Sequence, residues 1–251
     1  MNKIIKRFLI GIGAVIAILV LIAVSFGLKM KSELKNMHVV ETKEVIQNIF
    51  AIKDSFVNMF LVKDSDNYIA IDAGNDIKVI RAELAKLNID SSKVLTVLLT
   101  HGDGDHTATL TLFKNANVYL SRDEEQMING KTAKMLFIHN SISRKDYKLL
   151  DDKQVLTIGK TKIVCIATPG HTPGSMSYLI NDSLLFVGDA FSLKNKKIEK
   201  PNSFFSKDMK TAIHSLKYIA NLPQAKYIFT AHTGFTANYK NAMTDWETVK
   251  E

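Results

Sequence analysis

The chain opens on an unbroken apolar run and then settles into short alternations of apolar and polar positions. Phe8 through Leu28, FLIGIGAVIAILVLIAVSFGL, is 21 residues without a charge. A helix that crosses the hydrocarbon core of a bilayer needs about 20 such residues. No polar face interrupts the run, as it would in a surface helix of a globular domain. Lys3, Lys6 and Arg7 precede it, and the positive-inside rule then keeps the amino terminus in the cytoplasm. Residues 1–7 are therefore read as a basic cytoplasmic segment, 8–28 as a transmembrane anchor and 29–40 as a polar, charged linker. A cleaved signal peptide is the alternative, with Ala23-Val24-Ser25 as a small-x-small site. The run is longer than the usual ~7–15-residue apolar core of such signals. Either way the remainder lies outside the cytoplasm, held at the cell membrane or secreted.

The remainder, 41–251, reads as one domain. Val45–Ile52 and Phe56–Val62 predict two strands around a turn at Lys53-Asp54-Ser55, and Tyr68–Asp72 a third that ends in Ala73-Gly74. Ile77, Ile80, Leu84 and Leu87 recur at helical spacing. Val94–Leu99 is a short apolar run with β-branched residues, the pattern of a buried strand. Thr107–Phe113 reads as helix and Val118–Leu120 as strand. Two hairpins follow, Gln154–Ile158 with Thr161–Ala167 and Ser177–Ile180 with Leu184–Val187. A helix over Lys207–Ala220 and a strand over Tyr227–Thr230 complete the pattern. Residues 122–152 show no clear period. Strand-rich halves, each carrying helices, predict an α+β sandwich of two sheets covered by helices.

Composition narrows the partners. With 46% hydrophobic and 23% charged residues the chain is globular in character. The net charge of +8 comes largely from lysines scattered singly. No arginine-rich stripe with interleaved aromatics is present, so nucleic acid is not an expected partner. The single cysteine, Cys165, cannot form an internal disulfide, and inside an apolar run it reads as a buried, inert thiol.

Candidate chemistry concentrates at strand ends. Residues 100–107 read THGDGDHT, placing His101, Asp103, Asp105 and His106 in a glycine-rich loop just past the strand 94–99. His171 in TPGHTPG, Asp189 in LFVGDA and His232 in FTAHTG each follow a predicted strand in the same way. His38, His139 and His214 do not, and read as surface or packing residues. Imidazoles and carboxylates suit zinc, iron or manganese. Seven such residues exceed the needs of one tetrahedral ion with an open position. They suit two ions about 3.5–4 Å apart, bridged by a carboxylate and a water.

Taken together, residues 40–240 resemble the metallo-β-lactamase superfamily, whose signature is His-x-His-x-Asp-His followed by a distant His, Asp and His. His101, Asp105, His106, His171, Asp189 and His232 match in order and local context. The resemblance implies a four-layer αβ/βα sandwich with the site along one edge of the two sheets. It implies one metal site of His101, Asp103 and His171, a second of Asp105, His106 and His232, and Asp189 bridging them. Asp72, in IDAG, matches the aspartate that orients a ligand histidine from behind. The implied activity is that of a membrane-anchored, extracytoplasmic hydrolase holding two divalent metal ions, zinc foremost. A metal-bound hydroxide would attack an ester, thioester, lactone, β-lactam or phosphodiester bond of a small-molecule substrate, with Asp105 also accepting a proton.

Asp103 is the departure, because the signature has its second histidine there. A harder oxygen donor shifts preference towards iron or manganese. A carboxylate at this position is similar to that of flavodiiron oxygen and nitric-oxide reductases. The segment 233–251 is too short for their flavodoxin domain, so a diiron redox protein would need a separate electron donor. Asp103 also keeps open a non-catalytic relic that only binds a metal or small ligand. Residues 121–152 could form a lid over the site.

Overall fold

A computed structural model describes residues 3–135, 138–222 and 225–246. Residues 1–2 of the basic amino-terminal segment and 247–251 of the predicted domain lie outside the described residues. The chain divides into two compact units, Met1–Met37 and His38–Glu251.

The first unit is one helix, α1 (Lys3–Lys35). It is long and apolar enough to cross a membrane, and side chains such as Ile10, Leu19, Leu21 and Ile22 are exposed along it. Residues 29–35, read from the sequence as linker, prolong the helix. No glycine or proline interrupts them, and Lys29 pairs with Glu33 one turn on at 2.5 Å.

In the second unit β1 (Lys43–Ile46), β2 (Ile49–Asp54), β3 (Val57–Asp64) and β4 (Asn67–Ile71) form an antiparallel meander. After α2 (Ile77–Lys86) the chain adds β5 (Val94–Leu98), then the single-turn α3 (Gly104–Thr107), β6 (Asn117–Ser121), α4 (Glu125–Ile128) and β7 (Lys148–Leu150). Strands β4 to β7 pair in parallel and complete a seven-stranded sheet in sequence order. The second sheet is built from β8 (Val155–Ile158), β9 (Thr161–Ala167), β10 (Met176–Ile180), β11 (Leu184–Phe186), β14 (Tyr227–Thr230) and β15 (Gly234–Thr236). Between β11 and β14 lie a small hairpin, β12 (Ser192–Lys194) with β13 (Lys197–Glu199), and α5 (Met209–Ala220). The short α6 (Tyr239–Met243) follows β15.

Period-two alternation explains the layering. In β3, Phe60 and Val62 face the second sheet, while Met59 and Leu61 face α2 through Ile80 and Leu84. In β9, Ile163 and Cys165 point between the sheets and Ile166 points to the other side, where Leu216 and Ile219 of α5 lie. Both faces of each sheet are thus covered, giving helix, sheet, sheet, helix. The inter-sheet core is aromatic at its centre: Phe186 and Phe229 stack with centroids 4.5 Å apart, and Phe60 meets Phe229 edge-on at 5.3 Å. Cys165 is buried there, and burial pushes its thiol up to about 12, in keeping with an inert packing residue.

Two sequence-based elements are corrected. The single strand expected over 45–52 is two, because Asn48 takes a left-handed φ of 67° and turns the chain. The helix expected over 107–113 begins earlier, at Gly104, and a 3-10 turn at Leu110–Leu112 follows it, so Asp105 and His106 stand on a helical turn, not in an open loop. Periodicity also missed the hairpin β12–β13, β15 and α6, whose three to five residues are too short to show a repeat.

Candidate metal centre

Every candidate ligand is delivered by a strand end. Asp72 follows β4, His101 to His106 follow β5, His171 follows β9, Asp189 follows β11 and His232 follows β14. The loops are tied to one another by backbone and side-chain bonds. Met176 N donates to Thr100 O at 2.8 Å, Asn58 N to Ala231 O at 2.8 Å, and Tyr178 Oη to Leu99 O at 2.6 Å. His38, His139 and His214 are exposed and enter none of the donor groups found among the described residues, although His38 N donates to His232 O at 2.8 Å.

The structure gathers all seven candidates into three overlapping donor groups. These are His101, Asp103 and His171; His101, His106 and Asp189; and Asp105, His106 and His232. Asp103 Oδ2 lies 3.4 Å from His101 Nε2 and 3.1 Å from His171 Nε2. Asp105 Oδ2 lies 3.5 Å from both His106 Nε2 and His232 Nε2. Asp189 reaches both sides, with Oδ1 at 3.5 Å from His106 Nε2 and Oδ2 at 3.2 Å from His232 and 3.6 Å from His171.

Hydrogen bonds behind the rings decide which nitrogen faces inwards. His232 Nδ1 must donate to Phe56 O, 2.7 Å away, because a carbonyl only accepts. His106 Nδ1 lies 2.8 Å from Asp72 Oδ2 and donates to it. Thr100 Oγ1 gives its proton to Asp72, at 2.9 Å, and so accepts from His101 Nδ1 at 3.0 Å. With each Nδ1 carrying a proton, each Nε2 presents a lone pair to the same small volume. Asp72 holds this arrangement from a left-handed φ of 62°, a conformation that aspartate tolerates better than most residues. Its carboxylate also accepts from Thr100 N at 2.7 Å.

Two observations show that the donors fit a metal ion. His101 Nε2, His106 Nε2 and Asp189 Oδ1 are buried and make no hydrogen bond, which is costly for atoms with nowhere else to turn. The donor separations are also those of a coordination shell. Nitrogen and oxygen ligands at about 2.0–2.2 Å around a tetrahedral zinc stand about 3.3–3.6 Å apart. The electrostatics point the same way. Burial would push His106 down, yet Asp105, Asp189 and Asp72 raise it well above the ordinary imidazole value. Burial likewise opposes but does not prevent the rise at His232, which faces Asp189. Asp189 itself, despite burial, is held well below the usual carboxylate range by His232 and His106. The cluster therefore calls for a cation.

Asp103 stands at the N-cap position of α3 but makes no capping bond. Its side chain turns to the cluster instead. Three residues that sequence patterns missed also meet here. Lys134 Nζ lies 2.6 Å from Asp103 Oδ2 and 3.0 Å from His171 Nε2. Asn140 Nδ2 donates to Asp103 Oδ1 at 2.6 Å. Burial, and then the Lys134 charge, pull His171 down to about 4. Glu124, fully buried, accepts from Gly102 N at 2.8 Å, Thr172 Oγ1 at 2.6 Å and Gly174 N at 3.1 Å, and so clamps the loop of His101 to the loop of His171. Gly174 is required there, since a Cβ would run into the Glu124 backbone. All three come from the aperiodic stretch 122–152, which offered no motif to read.

The sequence profile of the metallo-beta-lactamase superfamily matches residues 52–232. The chain belongs to this superfamily. Among its relatives in the superfamily is a probable polyketide biosynthesis zinc-dependent hydrolase, PksB, of Bacillus subtilis, 30% identical over 63% of this chain and 65% of that protein. A hydroxyacylglutathione hydrolase of Buchnera aphidicola is 27% identical over 80% of this chain and 70% of that one. The matched part of this superfamily member thus spans just under two thirds of PksB. Among solved structures, a metallo-beta-lactamase family protein of Thermus thermophilus superposes over 80% of this chain and 78% of its own, with a TM-score of 0.62 at 18% identity. That likeness shows the superfamily's sandwich fold.

Proposed function

We propose that this chain is a metal-dependent hydrolase, anchored by α1 with its catalytic domain outside the cytoplasm. The observation that carries the hydrolase reading is the convergence of unpaired, buried His101 Nε2, His106 Nε2 and Asp189 Oδ1 on one carboxylate-rich volume. His101, Asp103 and His171 would hold a first ion, and Asp105, His106 and His232 a second, with Asp189 shared. Zinc is the favoured metal, in line with the naming of PksB. Bound divalent ions supply Lewis acidity and bring the pKa of a water towards neutrality.

The chain's own residues set up the rest. Asp72, Phe56 O and Thr100 lock the three imidazoles so that no rearrangement is needed during turnover. Asp105 is only half-buried and has room to take the proton of the attacking water and return it to the leaving group. Carboxylic esters and thioesters are the favoured substrates, supported by the naming of the hydroxyacylglutathione hydrolase relative. Lactone, β-lactam and phosphodiester bonds complete the set to be tried, since the fold does not choose among them.

The test is a substrate panel across those bond types. It is run with the full chain in detergent, metal-free and zinc-reloaded, beside Asp189→Ala. Hydrolysis that appears only on reloading, and at least a hundredfold less in Asp189→Ala, is the expected result. Equal activity in the Asp189→Ala protein would refute the reading.

A further inference from the structure

The ammonium of Lys134 sits among the donors of one site and leaves the other alone. Its Nζ is 2.6 Å from Asp103 Oδ2 and 3.0 Å from His171 Nε2, both members of the group His101, Asp103 and His171. The backbone around it is held: Lys134 N donates to Ile138 O at 2.7 Å, and Lys207 Nζ to Ala133 O at 2.5 Å. Asn140 occupies Asp103 Oδ1, which leaves Oδ2 as the oxygen turned to the cluster. The side chains of Lys134 and Asp103 are only 14% and 15% exposed, so the pair is shielded from solvent.

A single lone pair makes the arrangement exclusive. His171 Nε2 can accept a proton from an ammonium or ligate a metal, but not both. An ammonium this close would also repel a divalent ion strongly in so enclosed a place. Yet the lysine serves only part of the group, for His101 Nε2 remains without a hydrogen bond. An ion would engage all three donors, whereas the lysine engages two. Neither occupant wins outright, and a long flexible side chain can withdraw by changing rotamer.

We propose that Lys134 is a tethered counter-cation that competes with a metal ion for the site of His101, Asp103 and His171. The chain then holds one ion tightly at Asp105, His106, His232 and Asp189, and takes up a second only by displacing the lysine. The substitution of a carboxylate for imidazole at 103 favours this, because an aspartate forms an ion pair with the ammonium where a neutral imidazole would offer only a hydrogen bond. The inference rests on the proposed metal reading, and its test separates the two.

The full chain, stripped of metal in detergent, is titrated calorimetrically with zinc, and bound metal is counted by elemental analysis. Wild type should show one tight ion and a second bound at least tenfold more weakly. Lys134→Met, which keeps the length of the stem and removes the charge, should tighten the second event at least tenfold without affecting the first. Lys134→Gln serves as a second variant, with circular dichroism to verify the fold. Equal, tight binding of two ions by wild type would overturn the proposal. So would a second event unchanged in both variants. No zinc bound by any of the proteins would overturn the metal reading itself, and the competition with it.

Discussion

At the scale of single residues, the centre depends on what stands behind the ligands. Asp72 fixes His106 through a 2.8 Å bond and keeps its inward nitrogen free. Asp72→Asn should preserve the fold, because asparagine also accepts the left-handed backbone and can still accept from Thr100 N. Zinc affinity should drop about 10–100-fold, the usual cost of losing such a partner. Thermal melting and a zinc titration check both halves, and unchanged affinity would count against the orienting role. The charge state of His106 gives a second prediction. Its raised value means that, without metal, this imidazole takes up a proton at a higher pH than an ordinary histidine, because Asp105, Asp189 and Asp72 favour the charged form. In that state the proton is stabilising: the contribution is fully present below about pH 6.5 and is lost as pH rises through the folded value. A metal must displace this proton, so zinc affinity should weaken on acidification and strengthen as pH rises. Calorimetry at pH 7 in buffers of different ionisation enthalpy should report at least about one proton released per tight zinc ion. No buffer dependence would contradict it.

Elements explain which parts of the molecule could be read beforehand. Candidate ligands such as His171, Asp189 and His232 were legible because each follows a strand whose own pattern is plain, and strand ends are where α/β sheets place their sites. Cys165 was legible as a buried thiol because it lies inside an apolar run. Glu124, Lys134 and Asn140 were not, since each acts across a distance of 22 to 50 residues in sequence from its partners and no local rhythm marks it. Gly104 misled in another way: glycine reads as a helix breaker, but here it opens a helical turn with Asp103 before it. The clamp made by Glu124 carries a prediction at this scale. Glu124→Ala leaves the buried Gly102 and Gly174 amides without their acceptor and opens space between two ligand loops. The cost should be about 3 kcal/mol, a fall in melting temperature of roughly 6–12 °C. Metal retention should suffer with it. A variant as stable as wild type would show that the loops hold their places by other contacts.

At the scale of the whole molecule, a lysine-flanked apolar helix precedes a domain whose two sheets meet at a metal-ready edge. With Lys3, Lys6 and Arg7 ahead of the helix, the proposed topology puts the domain outside the cytoplasm. A phosphatase reporter fused after Glu251 should be active, because it folds only outside the cytoplasm, and a cytoplasmic fluorescent reporter at the same place should be dark. The reverse pattern would rule out the outward orientation, while release of a mature protein starting near Phe26 would favour a cleaved signal over an anchor. The account as a whole stands on the claim that these strand-end residues coordinate a metal. Anomalous X-ray scattering at the zinc edge, from crystals of the zinc-loaded protein, measures that directly. The strongest peak should lie among Asp105, His106, His232 and Asp189, with any weaker second peak among His101, Asp103 and His171. A zinc peak elsewhere on the protein, with none of these side chains within coordination distance, would contradict it.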